Sequence, residues 1–189
     1  SSGGSQDVWV MLVDDGGSVQ WTTSGGGTGQ DVLRNLIVDS QDSVYAVGEF
    51  DGVLASYGND RLTANSGGTD VWAGKIDVGG TWSWAKKGGG SSDDMGFSIA
   101  LSADESAVFT AGQIAGMTTF ENSATTRMAN TSGASDAFVA VSSAATGEWE
   151  DVFVAGGPSG GDRAWAIDVD SQNITHTAGR FKGTSSGPA

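Results

Sequence analysis

Short segments of alternating apolar and polar residues run along the whole chain, separated by turns of Gly, Asp and Ser. A typical segment, Val-Tyr-Ala-Val-Gly at residues 44–48, is rich in the residue types that favour strands. No stretch keeps apolar residues at a 3.6-residue period over the length of a helix. The pattern therefore predicts an all-β fold.

The same pattern occurs three times. Asp-Val-Trp at residues 7–9 and 70–72 and Asp-Ala-Phe at residues 136–138 recur at spacings of 63 and 66 residues. Each is followed by a glycine turn with Trp, a glycine cluster, two alternating segments and, in the first two copies, a less regular segment (54–65 or 118–130). The repeat residues that we single out are Asp7, Trp9, Asp70, Trp72, Asp136, Phe138, Gly48, Gly112 and Gly179.

These spacings divide the chain into units of one continuous repeat domain. We assign residues 7–69 to the first repeat, 70–135 to the second and 136–184 to a partial third, with flexible ends at 1–6 and 185–189. About four short antiparallel strands per unit of 63–66 residues are typical of a β-propeller blade. The expected fold class is all-β with propeller-like repeats.

Longer motifs in the first two copies carry a family resemblance. Residues 37–52 read Ile-Val-Asp-Ser-x-x-x-Val-Tyr-x-x-Gly-x-Phe-x-Gly, and 62–77 read Leu-Thr-Ala-Asn-Ser-Gly-Gly-Thr-Asp-Val-Trp-Ala-Gly-Lys-Ile-Asp. With Trp-Ser-Trp-Ala at 82–85 and Gly-Gly-Gly at 88–90, they resemble the SBBP-type β-propeller repeat over roughly residues 7–184. The third copy departs most, since 142–146 replaces the Lys-Ile-Asp segment. The resemblance implies a propeller fold and an extracellular location, either secreted or at the cell surface.

The repeat phase predicts incomplete blades at both ends. The chain opens with an outer strand pair (about 7–25), continues with two full blades (about 35–87 and 97–155) and closes with an inner pair (about 164–181). An isolated two-stranded ribbon is only marginally stable in water, and exposed strand edges pair with other strands. We therefore expect the incomplete blades to pair with copies of the chain or with neighbouring blades of a larger protein. Head-to-tail joining gives a ring if the rotation closes and a fibre if it does not.

Acidic side chains dominate the charge. There are 23 Asp and Glu against 9 Lys and Arg, giving a net charge of −14, and no cysteine. A nucleic-acid partner needs a basic stripe that this chain lacks, and the apolar runs are too short to span a membrane. The absence of cysteine excludes disulfides and thiolate metal sites.

Tryptophans are the candidate sugar-binding residues, because aromatic faces suit pyranose rings. Recurrence at one repeat position favours packing between blades for Trp9, Trp21, Trp72 and Trp84. Trp82, Trp149 and Trp165 follow a different alternation, and we expect them to be exposed ligand-binding candidates.

Aspartates in the predicted turns have two interpretations. Asp168, Asp170, Asp39 and Asp42 place oxygen ligands at roughly calcium-loop spacing, without the glycine or distal Glu of an EF-hand. Asp also favours tight turns by binding its own backbone. We expect no cofactor, with calcium as the alternative.

Residues 77–82, Asp-Val-Gly-Gly-Thr-Trp, resemble the Asp-box hairpin of sialidase propellers, with Lys75 where Ser is expected. In that motif the Asp caps a turn and the Trp packs, so the likeness implies a structural role. Asn130 and Asn173 begin N-glycosylation sequons, which count only in a eukaryotic source.

A catalytic constellation is not found in the sequence. The only histidine, His176, lies mid-strand without a nucleophile elbow, and Glu148, Glu150 and Asp151 come from the least regular copy. The expected function is therefore that of a non-enzymatic, extracellular structural or adhesive protein that self-assembles through its half-blades. The alternative is a carbohydrate-binding, lectin-like propeller that uses exposed Trp and loop Asp residues with calcium.

Overall fold

The computed structural model describes residues 5–52, 55–62, 67–121, 126–131 and 134–182. Within these residues the chain forms sixteen strands and no helix, and every strand pairing inside a sheet is antiparallel. The predicted all-β class is confirmed. Most of the predicted flexible ends, residues 1–4 and 185–189, lie outside the described residues.

The strands are short and follow one another with brief turns. They are β1 (Val8–Val13), β2 (Val19–Gly27), β3 (Asp31–Val38), β4 (Val44–Phe50), β5 (Ala55–Tyr57), β6 (Asp60–Leu62), β7 (Asp70–Ile76), β8 (Trp82–Gly90), β9 (Met95–Leu101), β10 (Ala107–Ile114), β11 (Met117–Glu121), β12 (Thr126–Asn130), β13 (Asp136–Ser143), β14 (Trp149–Ala155), β15 (Arg163–Val169) and β16 (Thr175–Arg180).

The described strands form four sheets that follow one another along the chain. The first has the order β1-β2-β5-β6, the second β3-β4-β7-β8-β11-β12, the third β9-β10-β13-β14, and the fourth β15-β16. The second and third sheets share one plan, an inner pair followed by an outer pair. Among the described residues, the first sheet has the outer pair without an inner pair, and the fourth has the inner pair without an outer pair.

The less regular segments form additional hairpins, which the expectation of about four strands per repeat missed. The hairpin β5–β6 extends the first sheet beyond β2, and β11–β12 extends the second sheet beyond β8. Each brings an aromatic ring, Tyr57 or Phe120, onto a glycine of the receiving strand, Gly25 or Gly88, where a Cβ would overlap the ring. The glycine clusters are therefore places of close approach between strands.

The repeat glycines of the inner strands also mark places of close approach. Gly48 lies opposite Trp72 in the second sheet, and Gly112 lies opposite Phe138 in the third. A Cβ on Gly48 would overlap the carbonyl oxygen of Val32. The indole Nε1 of Trp72 donates to that same oxygen at 3.1 Å. The missing side chain thus lets the aromatic residue reach across the inner strand pair.

The core consists of apolar clusters between consecutive sheets. One cluster joins Val8 and Val10 of the first sheet to Trp72 of the second. Another joins Val71 of the second sheet to Phe138 of the third. A smaller one joins alanines of the third sheet to β15 of the fourth. The outer strands β7 and β13 therefore contribute one face to the sheet before them and the other to the sheet after them.

Aspartates head several of the hairpin turns. Asp39, Asp77 and Asp170 each accept backbone N–H groups from the residues two and four positions later, at 2.8–3.0 Å. The fourth residue of each turn has a positive φ: Asp42 (62°), Gly80 (83°) and Asn173 (61°). These are type I turns that close on a left-handed residue. The turn interpretation is confirmed for these three aspartates.

Removing the carboxylate of Asp77 should weaken its hairpin. Asp77→Ala leaves the N–H groups of Gly79 and Thr81 without their acceptor, and we expect a loss of about 1 kcal/mol in the free energy of unfolding. Urea unfolding measures this loss. Asp77→Asn is the matched control, because its amide oxygen can accept both bonds; an equal loss in both variants would contradict this role for the acceptor.

Candidate functional site

Two of the three candidate sugar-binding tryptophans are buried. Trp82 is 6% exposed and Trp149 is 0% exposed, so their predicted exposure is wrong. Each indole Nε1 donates to a carbonyl oxygen in the sheet before its own, Trp82 to Ser24 at 3.0 Å and Trp149 to Lys87 at 2.8 Å. These rings pack between sheets and offer no face to a sugar.

Trp165, the third candidate, keeps an open surface. It is 47% exposed, its ring lies 4.5 Å from the Phe97 ring, and the Arg163 guanidinium lies 5.4 Å from its ring centre. The carbohydrate-binding prediction therefore has only Trp165 left among its named tryptophans.

Not all of the tryptophans that we expected in the core are buried. Trp72 and Trp84 are buried as predicted, and Trp21 is half-buried. Trp9 is 65% exposed, so its predicted burial is wrong. Among the described residues, the first sheet has no inner strand pair to receive the Trp9 ring in the way that β3 and β4 receive Trp72.

The candidate calcium ligands are occupied in turns. Asp39 Oδ1 accepts two backbone N–H groups, and its Oδ2 lies 3.6 Å from Lys75 Nζ. Burial tends to raise the pKa of Asp39, but the N–H groups of Ser43 and Gln41 and the charge of Lys75 hold it below its ordinary value.

The second aspartate pair shows the same chemistry. Asp170 Oδ1 accepts from Gln172 and Ile174, and its Oδ2 lies 3.1 Å from His176 Nε2, which holds the pKa of Asp170 below its ordinary value. Asp168 accepts from the N–H of Val169. Across the described ranges, no group of three or more His, Cys, Asp or Glu side chains could hold a metal ion.

The two sequon asparagines have different surroundings. Asn173 occupies the left-handed position of its turn, and its Oδ1 accepts the N–H of Ala103 at 2.7 Å. Asn130 ends β12, and its side chain lies outside the described part of the structure.

The strands at the two ends of the array of sheets, β1 and β16, are less buried than the strands at the same repeat positions in the second sheet, β7 and β4. All seven residues of β4 are buried, whereas every residue of β16 after the half-buried Thr175 is exposed. In β7 only Lys75 is not fully buried, whereas β1 buries only Val8 and Val10. The outer edges of β1 and β16 have no strand beside them in the described residues. Within this part of the chain, both edges are therefore available for strand pairing.

The turns of the inner pairs form a connected row. The second residue of one turn donates to the side chain at the fourth position of the next: Ser40 N to Glu105 Oε1 at 2.8 Å, and Ala103 N to Asn173 Oδ1 at 2.7 Å. Asp42, at the fourth position of the first turn, accepts no such bond from a preceding turn among the described residues. Ser171, at the second position of the last turn, likewise donates none to a following turn.

An apolar groove of about 510 Å³ opens beside β16. Its walls include Ala137 and Val139 of β13, Phe153 of β14, and Ala164 and Gly179 of the fourth sheet. Phe153 is 58% exposed. Sequence reasoning missed this groove, because only the strand register shows that these small and aromatic side chains share one wall.

A buried aspartate also recurs after each glycine cluster. Asp31 accepts the N–H of Gly27, Asp94 accepts the N–H of Ala115, and Asp162 accepts the N–H of Gly157. In the second copy both Asp93 and Asp94 follow the glycine cluster. The structure places Asp94 in the interior and Asp93 at the surface.

Comparison with protein-family models and with curated proteins gives no match to this chain. Within the described residues, no helix has the length and apolar character needed to cross a bilayer. The assignment of a function therefore depends on the site itself.

Proposed function

We propose that this chain is a non-enzymatic structural or adhesive module of the β-propeller type, which acts by joining its two ends to further blades. In this proposal the successive sheets are blades, and the first and fourth sheets are complementary halves of one blade. The observation that carries it is the loss of burial in β1 and β16 relative to β7 and β4.

The open edges of β1 and β16 support this role. An open strand presents a row of unpaired N–H and C=O groups, and pairing β16 with β1 would satisfy both rows at once. Apolar side chains are also exposed at both ends of the array, among them Trp9 of β1 and Phe181, which directly follows β16. A joint between half-blades would cover these side chains as the core covers their counterparts.

The proposed location is extracellular, either secreted or at the cell surface. Support comes from the likeness to SBBP-type repeats in the Val-Tyr-x-x-Gly and Asp-Val-Trp motifs.

The net charge of −14 favours solubility of the chain before it assembles. The further blades belong either to copies of the chain or to a longer protein, and head-to-tail joining gives a ring or a fibre.

Self-association tests the proposed function. Sedimentation velocity over a wide concentration range should show species larger than the 19.1 kDa chain. Met11→Lys should abolish them, because it puts a charge into the joint. Met128→Lys should not, because Met128 is an exposed methionine on β12, a strand that does not line the groove. A monomer at every concentration, or equal effects of both variants, would contradict this function for the isolated chain.

A further inference from the structure

We infer that the partner of the open end is a second copy of this chain, whose β1 pairs antiparallel with β16 and whose Trp9 fills the groove beside it. This inference rests on the proposed function and adds a partner, a register and an anchoring residue. Four independent features support it: the register of the complete sheets, the groove, the row of inner turns and the distribution of charge.

The register follows from the two complete sheets. Gly48 faces Trp72 and Gly112 faces Phe138, with regular antiparallel pairing on both sides. Gly179 is the corresponding glycine of β16 and lies opposite Ala164 of the inner strand. The same register therefore sets Gly179 opposite Trp9 of the second copy. It also sets Thr177 opposite Met11.

The place for the Trp9 ring is already formed. A Cβ on Gly179 would overlap the carbonyl oxygen of Arg163, as a Cβ on Gly48 would overlap that of Val32. Trp72 Nε1 donates to the Val32 oxygen. By the same geometry Trp9 Nε1 would donate to the Arg163 oxygen. No aromatic atom lies among the nearest neighbours of the Gly179 position, whereas Trp72 lies beside Gly48.

The groove is the surface that this ring would cover. Val8 and Val10 of the first sheet are buried with Trp72, and Val71 and Ala73 of the second sheet are buried with Phe138. The corresponding residues of the third sheet, Ala137 and Val139, line the groove together with Phe153. The next member of this series of aromatic residues is Trp9, which is 65% exposed in its own chain.

The inner turns continue across the same joint. Ser40 and Ala103 each donate an N–H to the fourth-position side chain of the following turn. Ser171 is the next donor in the row. In a head-to-tail pair its acceptor is the carboxylate of Asp42 in the second copy, a charged acceptor of the same kind as Glu105.

Charge favours a second copy over an unrelated partner. Residues 1–33 contain four aspartates and no Lys or Arg, whereas residues 163–182 contain three cations, Arg163, Arg180 and Lys182, against two aspartates, Asp168 and Asp170. The two surfaces that would meet thus have opposite character within one acidic chain. One molecule supplies the Trp, the complementary edge, the turn acceptor and the opposite charge.

Disulfide trapping tests the register. The chain has no cysteine, so Met11→Cys with Thr177→Cys introduces the only two thiols. Directly opposed residues in an antiparallel pair lie within disulfide range, and oxidation should give covalent dimers and longer ladders on denaturing gels. Leu12→Cys with Thr177→Cys is the matched control, because a slip of one residue points the thiols to opposite faces, and it should not cross-link.

Truncation of the ring tests the anchor. Trp9→Ala should weaken self-association by about thirtyfold or more, the effect of losing a buried interface tryptophan. Trp165→Ala removes a comparably exposed ring outside the groove and should leave it unchanged. Self-association without the Met11–Thr177 cross-link, or insensitive to Trp9→Ala, would overturn this inference and leave the proposed function standing. An intrachain disulfide would overturn the second copy as partner, and a monomer at all concentrations would overturn both proposals.

Discussion

Replacing Trp72 by alanine is expected to lower the free energy of unfolding by about 3–5 kcal/mol. Trp72 is fully buried, stacks on Tyr57 at 4.8 Å between ring centres and meets Trp82 edge-on at 6.0 Å. Its Nε1 also donates to the carbonyl oxygen of Val32. The substitution therefore leaves a cavity between the first and second sheets and an acceptor without its donor. Urea unfolding followed by circular dichroism measures the loss.

Trp9→Ala provides the matched comparison, because Trp9 occupies the same repeat position and is 65% exposed. In solutions dilute enough to keep the chain monomeric, we expect Trp9→Ala to change the unfolding free energy by less than about 0.5 kcal/mol. Equal losses at Trp72 and Trp9 would mean that the monomer already covers Trp9. That result would remove the reason for an open joint.

This pair of residues also marks the limit of sequence reasoning. The motif Asp-Val-Trp correctly predicts a strand at both places, and the repeat spacing correctly predicts that the two strands have similar partners within their hairpins. Burial depends on the sheet that lies next to the strand. Sequence similarity between copies does not reveal that, within the part of the chain that the structure describes, β7 has an inner pair beside it and β1 does not.

A bulge in β8 separates the two tryptophans of this strand. Strict alternation puts Trp82 and Trp84 on one face of β8. The pairing of β7 with β8 is irregular at this point, since Lys75 faces Trp84 and Ile76 faces Trp82, so Ser83 bulges out. The bulge turns Trp82 into the cluster with the first sheet and leaves Trp84 in the cluster with the third. A similar irregularity lies beside Trp149, opposite Val141 and Ser142.

The aspartate turns could be predicted from the sequence, whereas the contacts of the buried aspartates could not. Local sequence is enough for Asp39, Asp77 and Asp170, because each binds backbone groups two and four residues away. The buried aspartates depend on distant residues, as Asp94 does on Ala115 and Thr118 of the following hairpin. Such contacts cannot be read from spacing alone.

Asp94→Asn is expected to stabilise the chain at neutral pH. Asp94 is fully buried, and its Oδ1 accepts from Ala115 N at 2.8 Å and Thr118 Oγ1 at 2.9 Å. Burial, opposed by these bonds and aided by the charge of Asp70, raises the pKa of Asp94 from 3.8 to about 6. The Asn oxygen can keep both bonds without placing a charge in the interior.

The sign of the pH dependence follows from this raised pKa. Between pH 3.8 and about 6 the folded chain holds a proton at Asp94 that the unfolded chain has lost, so stability from this group falls as pH rises and is constant above that range. At about 1.4 kcal/mol per pKa unit, the loss is on the order of 3 kcal/mol. Asp94→Asn should therefore match the parent chain near pH 4 and exceed its unfolding free energy by an amount of that order above pH 7. Asp93→Asn, at the exposed neighbouring position, should show no such pH-dependent difference; a constant gap between Asp94→Asn and the parent in urea unfolding at all pH values would show that Asp94 does not titrate in this way.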